Sequence, residues 1–554
     1  MKHIRIAAIA LIAAAALLPG AASAAPYTER ISVDSAELEA TGGDSVDAAV
    51  SANGRFVAFS SAAVDLVAGD SNGKSDVFVR DRANGTTERV SLDSSEVQGL
   101  DDSTLPAISG DGRFVTFHSK ATNLVASDTN AGGDIFLRDR TNGTTERISV
   151  DSSETQSNNN SGISSITSDG RYVAFESIAS NLVPGDAGGW DIFVRDLQLG
   201  TTEKASFTDS EGQADGNNWE PSISDDGNMV AFYSSANNLT PADQTIHSDV
   251  FLRDRTAGTT TLLSVSSAEV QSDYPSNSTS ISADGLKVAF ISGGTNLVPN
   301  DPSGYDAFVR DVAAGTTERV SVSSDETGAN SSSANPSISG NGRFVAFDTY
   351  STNLVPNDTT STSDVFVRDL LLGTTERVSV TTAGAGSALG NSFDPSINAD
   401  GGVVAFQSVA VDLVSDDTNL KSDVFVHAYD IDLDGISDYS DNCPTVANTD
   451  GQAVDQDGDI AGDACDAPGT GNVDCNQVIN SIDALKVLRF SASLSVAQSE
   501  PCTDIGEPIG STFDQGNVDC SAGNPNSIDA LKILRAVALL TVSQQPGCGP
   551  VIGP

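Results

Sequence analysis

Asp430, Asp432 and Asp434, then Gly435, Asp438 and Asp441, set carboxylates at alternating positions around a glycine that permits a sharp turn. The stretch reads DIDLDGISDYSDNCP, and a second, DQDGDIAGDACD, repeats the arrangement with Asp455, Asp457, Asp459 and Asp463. Carboxylates this dense repel one another unless a hard divalent cation sits among them, which is the chemistry of Ca²⁺ and oxygen ligands. Two near-copies follow, GNVDCNQVINSIDALKVLR and GNVDCSAGNPNSIDALKILR. Each runs from a loop rich in side-chain oxygens into an amphipathic helix start, with Leu485 and Leu488, or Leu531 and Leu534, on one face. In the first copy Asn472, Asp474, Asn476, the Val478 carbonyl, Asn480 and Asp483 fall at positions 1, 3, 5, 7, 9 and 12 of an EF-hand-type loop. The second offers Asn517, Asp519 and Asp529 but carries an extra residue and Pro525. Asn in place of Asp at the first position of both loops, and Gln477 where glycine is expected, predict weaker Ca²⁺ binding than a fully charged loop.

The whole composition agrees with oxygen-ligand chemistry outside the cell. The chain of 554 residues has a formal charge of −47, from 29 basic and 76 acidic side chains, which argues against nucleic acid and anionic membrane as partners. Lys2 and Arg5 precede an apolar run from Ile6 to Leu18, and Ala22-Ser23-Ala24 supplies a small-residue cleavage signature. Residues 1–24 therefore read as a secretory signal peptide with cleavage before Ala25, and no later apolar run is long enough for a transmembrane span. The expected location is secreted, extracellular or at the cell surface. All six cysteines lie between Cys443 and Cys548. A core without staples is thus followed by small modules that need them.

Those modules hang from a repeat. FVAF or a variant ends at Phe59, Phe117, Phe175, Phe232, Phe290, Phe347 and Phe406, with a spacing of 57 to 59 residues. DVFVRD or a variant starts at Asp76, Asp134, Asp191, Asp249, Asp306, Asp364 and Asp423. In residues 336–380 four short β-rich runs, PSIS, RFVAF, DVFVRD and TERVSV, are separated by Gly, Asn and Asp clusters, with GNGR as a tight hairpin between the first two. Four strands at a fixed period predict a mainly β fold, a seven-bladed β-propeller over residues 25–428. The seventh unit lacks its fourth strand, and ERISV near the N-terminus is the spare one. Pairing of Arg30–Val33 with Asp423–Val426 would close the ring within one chain, so a monomer is expected.

Units of the form ISxDGRFVAFxS, DVFVRD and GTTERVSV resemble the WD40-like repeats of TolB-type propellers over roughly residues 27–428. The resemblance implies the fold. Such propellers are similar to periplasmic interaction scaffolds, and the same architecture also carries glycosidases, lyases and peptidases. Residues 429–467, with DNCP and GDACD, resemble thrombospondin type 3 repeats, which implies at least two Ca²⁺ ions and a disulfide between Cys443 and Cys465. Residues 468–554 resemble a type I dockerin, a small α-helical Ca²⁺-dependent plug that docks onto a cohesin. On that resemblance Ser481, Ile482, Lys486 and Arg489, with Ser527, Ile528, Lys532 and Arg535, would read a cohesin-like partner in two equivalent orientations. Cys475 to Cys502 is 27 residues and Cys520 to Cys548 is 28, the difference matching the inserted residue, so each loop is paired with the segment after its own helix among 15 connectivities.

In the propeller, a residue repeated in every blade is read as structural, because one site must break the symmetry. Arg80, Arg138, Arg195, Arg253, Arg310 and Arg368 with the aspartate after each are read as blade-building pairs, and the NLVPxD aspartates, such as Asp186 and Asp301, as turn formers. Strand parity puts the long loops on one face. Trp190, Trp219, Tyr274 and Tyr305 of units three to five mark that face as a surface for a protein or glycan. His118 reads as a solvent-facing strand residue, and His247 as the one histidine near the aromatics. No catalytic residue is assigned, since so many acids offer too many glycosidase-type pairs. The favoured expectation is a calcium-binding modular scaffold. A polysaccharide-degrading hydrolase or lyase is the first alternative, favoured by a symmetry-breaking carboxylate pair under Trp190 and Trp219, and a TolB-like envelope component the second.

Overall fold

The computed structural model describes residues 27–429 except 302–303, 357, 359, 383 and 387–388, together with 508–509 and 513–514. The sequence-based assignments in the calcium-repeat and dockerin-like segments, with their ligands, disulfides and docking residues, and the signal peptide, lie outside these residues. Among the described residues no helix is long and apolar enough to cross a membrane.

Seven four-stranded antiparallel sheets follow one another around a ring. Blade one comprises β2 (Ser45–Val50), β3 (Phe56–Ser61), β4 (Asp76–Asp81) and β5 (Thr86–Arg89), and five further blades repeat this order. The innermost strands touch their neighbours all the way round, β2 meeting β26 (Ser392–Ile397) of the last blade. Every residue of β4 is buried, because both faces of its sheet are covered by other blades. Within each blade the FVAF and DVFVRD phenylalanines stack in register, as Phe59 does on Phe78 at 5.8 Å. Between blades, Ala174, Ile192 and Val194 meet Val230, Phe232 and Phe251 in a closed apolar layer.

The chain does clasp its own ring. β1 (Tyr27–Arg30) pairs with β28 (Asp423–Ala428), which is followed by β27 (Val403–Ser408) and β26. The paired residues are Tyr27 with Ala428 through Arg30 with Phe425, so the strand begins three residues earlier than expected and the register differs by one. The cause recurs in all seven units. After TTER or its variants YTER, TTEK and TTTL the chain leaves the sheet: the Val33 amide donates to the Ile31 carbonyl at 2.8 Å, and Leu92 to Val90 likewise, a γ-turn that ends the outer strand after its fourth residue. The expected fourth strand TERVSV is therefore only TTER. The first strand is longer than PSIS and carries a β-bulge, between Ala334 and Ser337 in blade six.

Candidate functional site

Symmetry separates what builds the ring from what the ring presents. Asp76 and its six equivalents begin the third strand, buried, each accepting a hydrogen bond from a serine, as Asp76 does from Ser91 at 2.5 Å. Arg80 does not pair with Asp81. Its guanidinium reaches Glu37 of the preceding blade, and the same holds for Arg138 with Glu96, Arg195 with Glu154, Arg253 with Glu211, Arg310 with Glu269 and Arg368 with Glu326. Asp81 instead binds Arg55 of its own hairpin at 2.8 Å. These arginines staple blade to blade, and the six glutamates sit at left-handed φ of 60–64° to receive them.

The NLVPxD aspartates are also more than turn formers. Asp186 and Asp191 share the Lys204 ammonium at 3.1 and 2.8 Å, and Asp301 and Asp306 share Arg319 at 3.0 and 2.6 Å. The same buried carboxylate pair with one cation from the outer strand recurs with Arg89, Arg147 and Arg377. In blade seven, Arg30 lies among Glu39, Asp416 and Asp417.

Two columns break the symmetry, and both lie beside the ring axis. The residue after the FVAF phenylalanine is Ser60, His118, Glu176, Tyr233, Ile291, Asp348 or Gln407. The third residue of the innermost strand, at the bulge, is Asp47, Leu105, Glu220, Ser278, Asn335 or Asp394 in six blades, with φ of 48–56°. Non-glycine residues rarely hold that angle, and local strain of this kind gathers where a fold aims side chains.

These columns assemble two acidic clusters. In the first, Glu176 accepts the Glu220 amide at 3.0 Å and also bonds the Ile163 backbone, so two carboxylates from adjacent blades lie together. Burial raises both, and the Glu176 charge raises Glu220 further. Tyr233 is pushed up to about 12 by burial and then by these two acids, and Trp219 stacks on it at 5.2 Å. In the second cluster the Asn335 amide bridges Asp348 at 2.9 Å and Asp394 at 2.5 Å, and Gln407 donates to Asp394. Asp348 is pushed up to about 6 by burial, with the Asp394 charge adding. Asp47 joins through its amide, which donates to Gln407 at 3.3 Å. Neutral-range carboxyls can exchange protons near pH 7, and an acidic mouth can hold cations or the hydroxyls of a polar ligand.

The predicted aromatic face divides. Trp219 lies on the innermost strand of blade four and belongs to the Glu176–Glu220 cluster. Trp190 adjoins it through its carbonyl, which accepts the Asn218 amide at 2.8 Å. Tyr274 and Tyr305 flank Gly293 and are largely exposed, and His247 stacks on Tyr274 at 6.0 Å. His118 is half-buried rather than fully solvent-facing. It packs against Gly133 in the axial column, and burial lowers its pKa. The axial acids went unnoticed in the sequence, although aligning the seven units on their phenylalanines exposes the variable column that holds them.

Residues 426–451 match the thrombospondin type 3 repeat family, a calcium-binding type of repeat, so the propeller runs into such a module. No curated protein matches the chain. Among solved structures the chain is similar to the β-propeller domain of the Trilobed protease from Pyrococcus furiosus, at 10% identity and a TM-score of 0.43, over 70% of this chain and 95% of that one. It is also similar to oligogalacturonate lyase from Vibrio parahaemolyticus, at 11% identity and 0.42, over 73% and 90%. TolB from Acinetobacter baumannii follows at 13% identity and 0.34, over 64% and 76%.

Proposed function

We propose that this is a secreted calcium-binding modular scaffold whose propeller holds a polar ligand, protein or glycan, at the acidic axial mouth and whose tail docks onto a cohesin-like partner. The observation that carries the reading is the junction. The thrombospondin type 3 match begins at residue 426, inside β28, so the matched repeat is continuous with the strand onto which β1 closes the ring. In this reading Ca²⁺ stiffens the stalk and the dockerin-like loops attach it. The mature chain should capture one extracellular protein in Ca²⁺ and release it in chelator, while residues 25–429 alone capture none. The same capture under both conditions would sink the calcium-dependent tether.

A second reading, an O-glycosyl hydrolase or lyase, is favoured by one specific observation. Glu176 and Glu220 break the symmetry beside Trp219 and Trp190, two carboxyls raised by burial next to an aromatic stack of the kind that sugar rings use. Assay of the chain on acidic and neutral polysaccharides should then release new chain ends, and Glu176→Gln and Glu220→Gln should each lower the rate at least ~100-fold. Undiminished turnover in both variants, or none in the parent, removes this reading.

A further inference from the structure

In six blades the outer strand sets a cation opposite the core phenylalanine of the third strand: Arg89 faces Phe78, Arg147 Phe136, Lys204 Phe193, Arg319 Phe308, Arg377 Phe366 and Arg30 Phe425. In blade four the residue facing Phe251 is Leu262. Its two acids remain. Asp249 is fully buried, Asp243 is 8% exposed, and among the described residues no Lys or Arg is paired with either. The groups around them are neutral: the Gln271 amide nitrogen, 2.7 Å from Asp243, 2.8 Å from Asp249 and 3.1 Å from the Thr245 hydroxyl, which itself lies 3.3 Å from Asp249, and the Ser264 hydroxyl, 2.6 Å from Asp249. The second carboxylate oxygen of Asp243 is buried with no hydrogen-bond partner among the described residues. Two buried carboxylates with neutral donors alone are disfavoured without a balancing positive charge.

We propose that blade four takes up a hard divalent cation, Ca²⁺, at the place where the other blades set a side-chain cation, with Asp243 and Asp249 as its charged ligands. Blade three shows the geometry. There a compact ammonium, Lys204, is held by Asp186, Asp191 and the Gln213 side-chain oxygen together. Gln271 stands at the Gln213 position, and turning its amide over presents the equivalent oxygen, with the Thr245 hydroxyl as a further ligand. All four donors are hard oxygens in an irregular array, which suits Ca²⁺ better than the strict octahedron of Mg²⁺. A cavity of about 480 Å³ lined by Thr240, Ala242, Leu262 and Gln271 lies beside this position. This site is in the propeller and stands or falls independently of calcium in the tail.

Leu262→Arg tests it, since it installs the side chain of the other blades. Equilibrium dialysis of the full chain with Ca²⁺ should show one equivalent fewer bound by Leu262→Arg than by the parent. Hydrogen exchange at 249–254 and 259–262 should be slowed by Ca²⁺ in the parent and be Ca²⁺-independent in the variant. Should Leu262→Arg fail to fold, Asp243→Asn with Asp249→Asn must lose the same equivalent. Equal stoichiometry in parent and variants, with exchange in blade four insensitive to Ca²⁺, overturns the site and leaves the pair balanced by a proton.

Discussion

His427 and Gly384 stand, at the junction of blades six and seven, where an arginine and a glutamate stand at the other six. His427 pairs with Val404 as Arg80 pairs with Val57, and Gly384 has φ +75° where the glutamates have 60–64°. The remaining contacts survive the exchange. The Thr28 hydroxyl donates to the Val380 carbonyl at 2.7 Å and lies 3.2 Å from His427 Nδ1, as Thr87 links the Val33 carbonyl to Arg80. Both charges disappear together because a buried guanidinium without its carboxylate would be stranded.

Restoring only one member should therefore harm the ring. His427→Arg is expected to cost about 2–4 kcal/mol, and adding Gly384→Glu to recover at least half of it. Denaturant midpoints of the two single variants and the double variant give the coupling. Additive effects would mean that the pair acts independently.

The clasp should be needed for a monomer. Deleting residues 25–33 removes β1 and the Ser32 hydroxyl that binds Asp423 at 2.5 Å, exposing the whole edge of β28. Light scattering should show association, with unfolding several degrees lower. A monomer of unchanged stability would refute the role of the clasp.

Stability should depend on pH with two opposing signs. Asp348, at about 6 in the fold against ~3.9 unfolded, disfavours folding fully above pH 6, and this is relieved as pH falls toward 4. His427, pushed down to about 4 by burial, favours folding fully above ~6.5 and loses that contribution as pH falls toward 4. Asp348→Asn should raise stability at pH 7.5 by about 1–2 kcal/mol and change it little at pH 4. An equal change at both pH values would contradict the burial effect.

Two glycines should separate backbone strain from packing. At Gly112, with φ +74°, a Cβ would lie 2.2 Å from the Phe56 ring of the neighbouring blade, whereas Gly185, with φ +79°, has open space. Gly185→Ala should cost about 1 kcal/mol from strain alone, and Gly112→Ala at least ~3 kcal/mol. Similar melting temperatures for both variants would count against the packing term.

Seven blades, four strands in each and the clasp follow from the residue pattern alone, because alternating Val and Phe between Gly and Asp turns is local information repeated seven times. The thrombospondin type 3 repeat after the propeller was legible for the same reason, as its residues are neighbours in the chain. The contacts between blades arise only in the folded ring. Glu37 meets Arg80 across 43 residues, and Glu220 meets Glu176 across 44, only because the ring brings consecutive blades face to face. No local pattern distinguishes the partner of Arg80 from Asp81 beside it. Leu262 looked like any apolar strand residue until six registered cations showed which charge its place omits.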